Sequence, residues 1–127
     1  MLVGYYELSD FAGAIHWRDK GICQLCGIDC DLLERWFKHY EHYRWSYKQD
    51  VAMAAQKLWL EARSRLWDAG FNTDTVFWNA DHIVPVCEGG ATTFENGRLL
   101  CHPCHKRVTA ELRQRRRKPR PQLELRV

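Results

Sequence analysis

Apolar residues recur at helical intervals in the first seventy positions and change to a strand-like pattern afterwards. In "DLLERWFKHYEHYR" (31–44), Leu33, Trp36, Phe37 and Tyr40 share one helical face. From Asp50 to Ala69 a longer helix carries Val51, Ala55, Leu58, Ala62 and Leu66 on one side, with Asp50 as N-cap and Gly70 as stop. A shorter helix is predicted in "SDFAGAIHWRDKG". Ser9 or Asp10 caps it, Phe11, Ala14 and Ile15 form its buried stripe, and Gly21 ends it. "TVFWNADHIVPV" (75–86) is β-rich and broken by Pro85, "CEGGATTFEN" (87–96) has turn chemistry, and "GRLLC" (97–101) reads as a second strand. Pro103 suits the first turn of a last helix running from about His102 to Lys118, which Pro119 and Pro121 end. The pattern predicts an α+β fold, helical in its first half and a hairpin followed by a helix in its second. The many Trp and Tyr residues of the helical half are expected to pack helices together rather than to stack on bases.

The length of 127 residues fits one domain, 1–118, with a loose tail over 119–127. The N-terminus lacks an apolar run after a basic start, and no segment has the roughly 20 apolar residues that cross a bilayer. A cytoplasmic protein with no membrane partner is therefore expected. The net charge of +3 hides an uneven distribution: Lys106 to Arg120 holds eight Lys or Arg and one acid, Glu111. A basic end on a mildly acidic body points to a polyanionic partner, the alternative being a solvated helix face.

Six cysteines without an export signal shift the expectation from disulfides to metal. Cys23-x-x-Cys26 and Cys101-x-x-Cys104 are two knuckles, each able to turn two thiolates towards one tetrahedral ion, and four sulfurs make a closed structural zinc site. Cys30 and Cys87 lack a matching partner and read as packing residues. "CHPCH" also fits covalent haem attachment. However, only the second knuckle is followed by histidine, and haem of that type usually needs an export route.

The stretch 81–105 adds a second constellation. Asp81 and His82 end the first predicted strand, Asn96 precedes the second, and His105 opens the helix. A hairpin packed on a helix can bring these places together. A neutral imidazole can take a proton from water, and a carboxylate with an imidazole can hold a divalent ion that contacts phosphate. Neighbours in a regular strand point to opposite faces, so Asp81 and His82 share a site only if the strand ends or twists there.

These residues together resemble the HNH endonuclease family, in its zinc-containing ββα-metal branch. The match lies in "WNADHIVPVCEGGATTFENGRLLCHPCHKR" with "RDKGICQLCG" upstream. The resemblance implies a ββα-metal core over 76–118 and a metal-dependent DNA endonuclease. His82 would be the general base, Asn96 would orient it or contact the metal, and Asp81 and His105 would hold a catalytic ion, magnesium or manganese. Cys23, Cys26, Cys101 and Cys104 would hold the structural zinc. Arg98, Lys106, Arg107 and Arg113 are expected at the nucleic acid, where backbone contacts carry affinity without sequence information. His102 has no counterpart in the motif and reads as a bystander. One departure is large: 54 residues separate Cys26 from Asp81, where compact members have few. They are expected to form a helical insertion, 31–69, which could meet a protein partner. A zinc-stapled binding module without catalysis is the alternative, and the motif does not separate DNA from RNA.

Overall fold

A computed structural model describes residues 10–117. The proposed Ser9 cap, Lys118 with the prolines beyond it, and the tail lie outside the described residues. Three helices come first: α1 (Phe11–Asp19), α2 (Cys30–Tyr43) and α3 (Gln49–Ala69). Strand β1 (Trp78–His82), a single 3-10 turn (Val86–Glu88), strand β2 (Gly97–Cys101) and helix α4 (His102–Arg116) follow. The strands pair antiparallel, with Trp78 opposite Cys101 and His82 opposite Gly97. The protein is α+β, as the pattern of positions predicts, and no helix among the described residues is long and apolar enough to cross a membrane.

Local chemistry explains most boundaries. Asp29 caps α2 by accepting a hydrogen bond from the Leu32 amide (2.9 Å). Helix α3 starts one residue earlier than expected, so Asp50 lies in its first turn, where its charge still complements the helix dipole. Gly70 ends α3 with a φ of 105°. Gly97 begins β2 because Ile15 and Phe11 of α1 press against it, and a side chain there would collide with both.

One core unites the elements. Phe37 of α2 packs on Phe77 at 6.0 Å between ring centroids, Phe71 packs on Phe77 at 5.6 Å, and Ile15, Leu99 and Leu100 complete the interior. The buried aromatics are thus phenylalanines. The expectation that the Trp and Tyr residues serve as packing holds for Trp59, which is half-buried against the core, and is corrected for six others: Trp17, Trp45 and Tyr47 are 75%, 81% and 92% exposed, and Trp36, Tyr43 and Trp67 are also exposed. Leu58, expected on the inner face of α3, is exposed as well. The buried stripe is Ala55, Ala62 and Leu66 with half-buried Trp59, a set whose spacing follows the helical period more closely.

Candidate active site and metal centre

The two knuckles meet although 74 residues lie between Cys26 and Cys101. The sulfurs of Cys23, Cys26, Cys101 and Cys104 all lie within 4.8 Å of one another, and those of Cys26 and Cys101 are 3.6 Å apart. A tetrahedral ion about 2.3 Å from each sulfur needs sulfurs about 3.8 Å apart, so the donor set fits a single ion. The Cys26 amide points at the Cys23 sulfur (3.5 Å). Burial opposes a Cys23 thiolate, but amides of Cys26, Cys101 and Leu25 outweigh it and draw the thiol down to about 6. The rest of the turn is fixed by β2, since the Gln24 amide bonds the Leu99 carbonyl (2.9 Å). Cys30 is fully buried and burial pushes its thiol up to about 12, which suits its reading as a packing residue. Cys87 does not pack: it is exposed on the 3-10 turn and lines the cleft described next.

That cleft, of about 460 Å³, lies between the end of the hairpin and α4, and Asp81, His82, Arg98 and His105 border it. Strand alternation holds. His82 lies on the α1 side of β1, stacked on Phe11 (centroids 4.8 Å, 14° between planes), whereas Asp81 faces α4. Both reach one cleft because β1 ends at His82. Asp81 is held between two cations or potential cations: Arg98, its cross-strand neighbour, places Nε 3.1 Å from Oδ2, and His105 Nε2 stands 3.9 Å from Oδ1. A carboxylate oxygen and an imidazole nitrogen at that separation can both bind one divalent ion. His82 engages Thr92 Oγ1 through Nε2 (3.0 Å), which leaves Nδ1 without a protein partner among the described residues.

Asn96 reaches Asp81, His82 and His105 by no hydrogen bond among the described residues. Its side chain closes the loop instead: Oδ1 accepts from the Val84 amide (2.8 Å), and Nδ2 donates to the carbonyls of Val84 (3.0 Å) and Ala91 (2.7 Å). Ala91 directly precedes Thr92, the residue that His82 engages. The four basic residues also differ in their duties. Arg98 pairs with Asp81, Arg107 points Nη2 at the Cys104 sulfur (3.8 Å), and Lys106 and Arg113 are exposed.

Three contributors escaped the sequence reading. Arg18 donates to the carbonyls of Phe94 (2.5 Å) and Gly97 (2.6 Å), lies over the Phe94 ring at 4.6 Å, and pairs with Asp19 (2.8 Å). Asp19 in turn accepts the Leu99 amide (2.9 Å), and the hydrogen bond from Arg18 holds its carboxyl below the usual range. This pair fastens α1 to the loop that carries Asn96. Thr92 is the second contributor. His102 is the third, and here the bystander reading is corrected. It is 7% exposed, sits against Phe71 at 5.7 Å between ring centroids, and accepts the Asn72 amide at Nδ1 (2.9 Å). Burial lowers its pKa, favouring the neutral ring this acceptor role requires. Arg18 and Asp19 open the stretch "RDKGICQLCG", but nothing in that string reveals what the pair touches.

A hairpin packed on a helix, with Asp81 and His105 facing each other at the cleft and four thiols converging at the knuckles, defines a ββα-metal fold. Residues 70–111 match the family model described as HNH endonuclease, so the chain carries an HNH endonuclease domain. The chain is also similar to the mouse (Mus musculus) protein DNA annealing helicase and endonuclease ZRANB3, at 36% identity over 97 residues, 73% of this chain. The matched stretch is 8% of that protein's length. No solved structure matches the chain significantly.

Proposed function

We propose that the protein is a metal-dependent endonuclease that hydrolyses phosphodiester bonds of DNA, with His82 as general base. One observation carries the reading: Asp81, His82 and His105 border a single cleft inside the stretch that matches the HNH endonuclease family. His82 is held by Thr92 through Nε2 and by Phe11 across its face, so Nδ1 is the nitrogen available to take a proton from water. Asp81 and His105 would hold the catalytic cation, magnesium or manganese, which supplies charge neutralisation to the phosphate. Arg98 keeps Asp81 oriented and adds positive charge at the cleft. Asn96 positions the loop behind His82. Cys23, Cys26, Cys101 and Cys104 would hold zinc, which suits four thiolates better than harder ions do. Lys106, Arg107 and Arg113, all exposed on α4, would contact the phosphate backbone. The place of action is the cell interior, where reduced thiols persist.

Plasmid nicking tests this. Supercoiled DNA is incubated with the protein and a series of divalent ions, beside His82→Ala. We expect nicking that depends on added metal and falls about 10²- to 10⁴-fold in the variant, with zinc content and melting temperature retained. Binding to DNA without metal-dependent nicking would make the protein the alternative, a zinc-stapled binding module. Cleavage of RNA in preference to DNA would correct the substrate.

A further inference from the structure

The two most exposed aromatic residues among the described residues, Trp45 and Tyr47, stand close together in the chain. The turn joining α2 to α3 presents Trp45 and Tyr47 almost wholly to solvent, and Met53 and Leu60 of α3 are exposed beside it. A shallow groove of about 500 Å³ lies there between Arg44 and Lys57, floored by Ala52, Met53 and Leu60. Along the same hairpin, cations and indoles alternate. Arg44 lies 3.7 Å from the Trp59 ring centroid and 5.8 Å from that of Trp45, and Arg63 lies 3.9 Å from that of Trp67 and 5.5 Å from that of Trp59. Among the described residues none of Arg44, Lys48, Lys57 and Arg63 has an ion-pairing carboxylate. Asp50 is the one acid between residues 42 and 60.

Gly70, at the end of α3, lies against Pro103 in the first turn of α4, and Lys106 and Arg107 follow Pro103 at three and four residues, on the same helical face. Along α3 itself Lys57, Arg63 and Arg65 are balanced by Asp50, Glu61 and Asp68, so the surplus of cations is local to the tip, where Arg44, Lys48 and Lys57 face Asp50 alone.

We propose that the tip of the α2–α3 hairpin binds single-stranded nucleic acid. Trp45 and Tyr47 stack on unpaired bases, and Arg44, Lys48 and Lys57 contact the phosphates. Duplex DNA hides its base faces, whereas exposed rings flanked by unpaired cations are the chemistry that holds single strands. A protein partner would also favour Trp and Tyr, but it would require carboxylates of its own to satisfy Arg44, Lys48 and Lys57, whereas a phosphate backbone supplies one negative charge per nucleotide. The inference rests on the nuclease reading, since the strand held here would be an unpaired arm of the nuclease's substrate.

The test is anisotropy of labelled oligo(dT) and of a closed hairpin duplex, with the full chain, Trp45→Ala/Tyr47→Ala and Lys48→Ala/Lys57→Ala. All four side chains are exposed, and melting temperature and zinc content verify each variant. The aromatic variant is expected to weaken oligo(dT) binding by about tenfold or more, and duplex binding by less than about twofold. The lysine variant should lower the salt slope for oligo(dT) by about 0.7 per lysine. Oligo(dT) affinity within about twofold of wild type in the aromatic variant, or an equal loss on duplex, would overturn the proposal and leave the tip as a protein-docking surface. Plasmid nicking is measured in parallel. Aromatic-dependent binding without nicking would sink the nuclease reading alone, and nicking with aromatic-independent binding would sink this inference alone.

Discussion

The HNH core and the α2–α3 hairpin are held by different means. In the core, polar groups set the geometry: four thiols converge, Arg18 and Asp19 fasten α1 to β2, and Asn96 spends its whole amide on backbone. In the hairpin, apolar packing does so, with Phe37 and Trp59 stacked at 5.9 Å over Ala55, Ala62 and Leu66. A short two-stranded sheet cannot stand alone in water and needs cross-links, whereas two antiparallel helices can bury an adequate stripe. The contrast explains why chemistry is placed in one region and exposed aromatics in the other. Convergent polar groups need rigid backing, and a surface for single strands needs only a stable platform.

The contrast can be broken in four ways. Removing the metal, by a strong chelator or by Cys101→Ser, should cost most. A structural zinc contributes on the order of 10 kcal/mol to folding, so the core should unfold while part of the helical far-ultraviolet signal persists. An unchanged melting curve after verified metal loss would show that the thiols do not staple the core. Phe37→Ala comes next, at about 3–5 kcal/mol, because the ring is fully buried where hairpin and core meet. Chemical denaturation would measure it, and a loss below about 1 kcal/mol would mean that the hairpin docks elsewhere.

Arg18→Ala should cost about 1–3 kcal/mol by stripping the carbonyls of Phe94 and Gly97 of a charged donor. If the loop positions His82, nicking should fall by more than the stability loss explains, with zinc content unchanged. Arg18→Lys should restore part of the rate; equal rates in all three proteins would confine Arg18 to a structural role. Asp29→Ala has the smallest effect, about 1 kcal/mol, from loss of the α2 cap. Because α2 belongs to the hairpin, that loss should appear in the melting temperature and leave the nicking rate alone.

Much of the fold was legible in advance. The helix period in 31–44, the stop at Gly70 and the strand–turn–strand of 75–101 are local signals; the two long helices and the second strand followed them to within a residue or two, and the first strand kept only 78–82 of the β-rich 75–86. The knuckles were legible because two C-x-x-C pairs carry their own geometry. What each polar residue touches was not. Asn96 looks the same in sequence whether it meets a metal, an imidazole or its own loop, and its three backbone bonds emerge only once 84 and 91 are folded against it. His102 gave no signal because its partner is an amide thirty residues earlier in the chain.

The sequence by itself determined the elements, the donor set for a tetrahedral ion and the candidate residues of the cleft, since these follow from residue type and short spacing. Tertiary structure decided which aromatics are buried. Helical periodicity marks a face as apolar without telling which apolar side chains the neighbours can cover. The core at the join of hairpin and sheet is filled by Phe37, Phe71 and Phe77, and Trp45 and Tyr47, set in a turn beyond the reach of any packed element, remain in water.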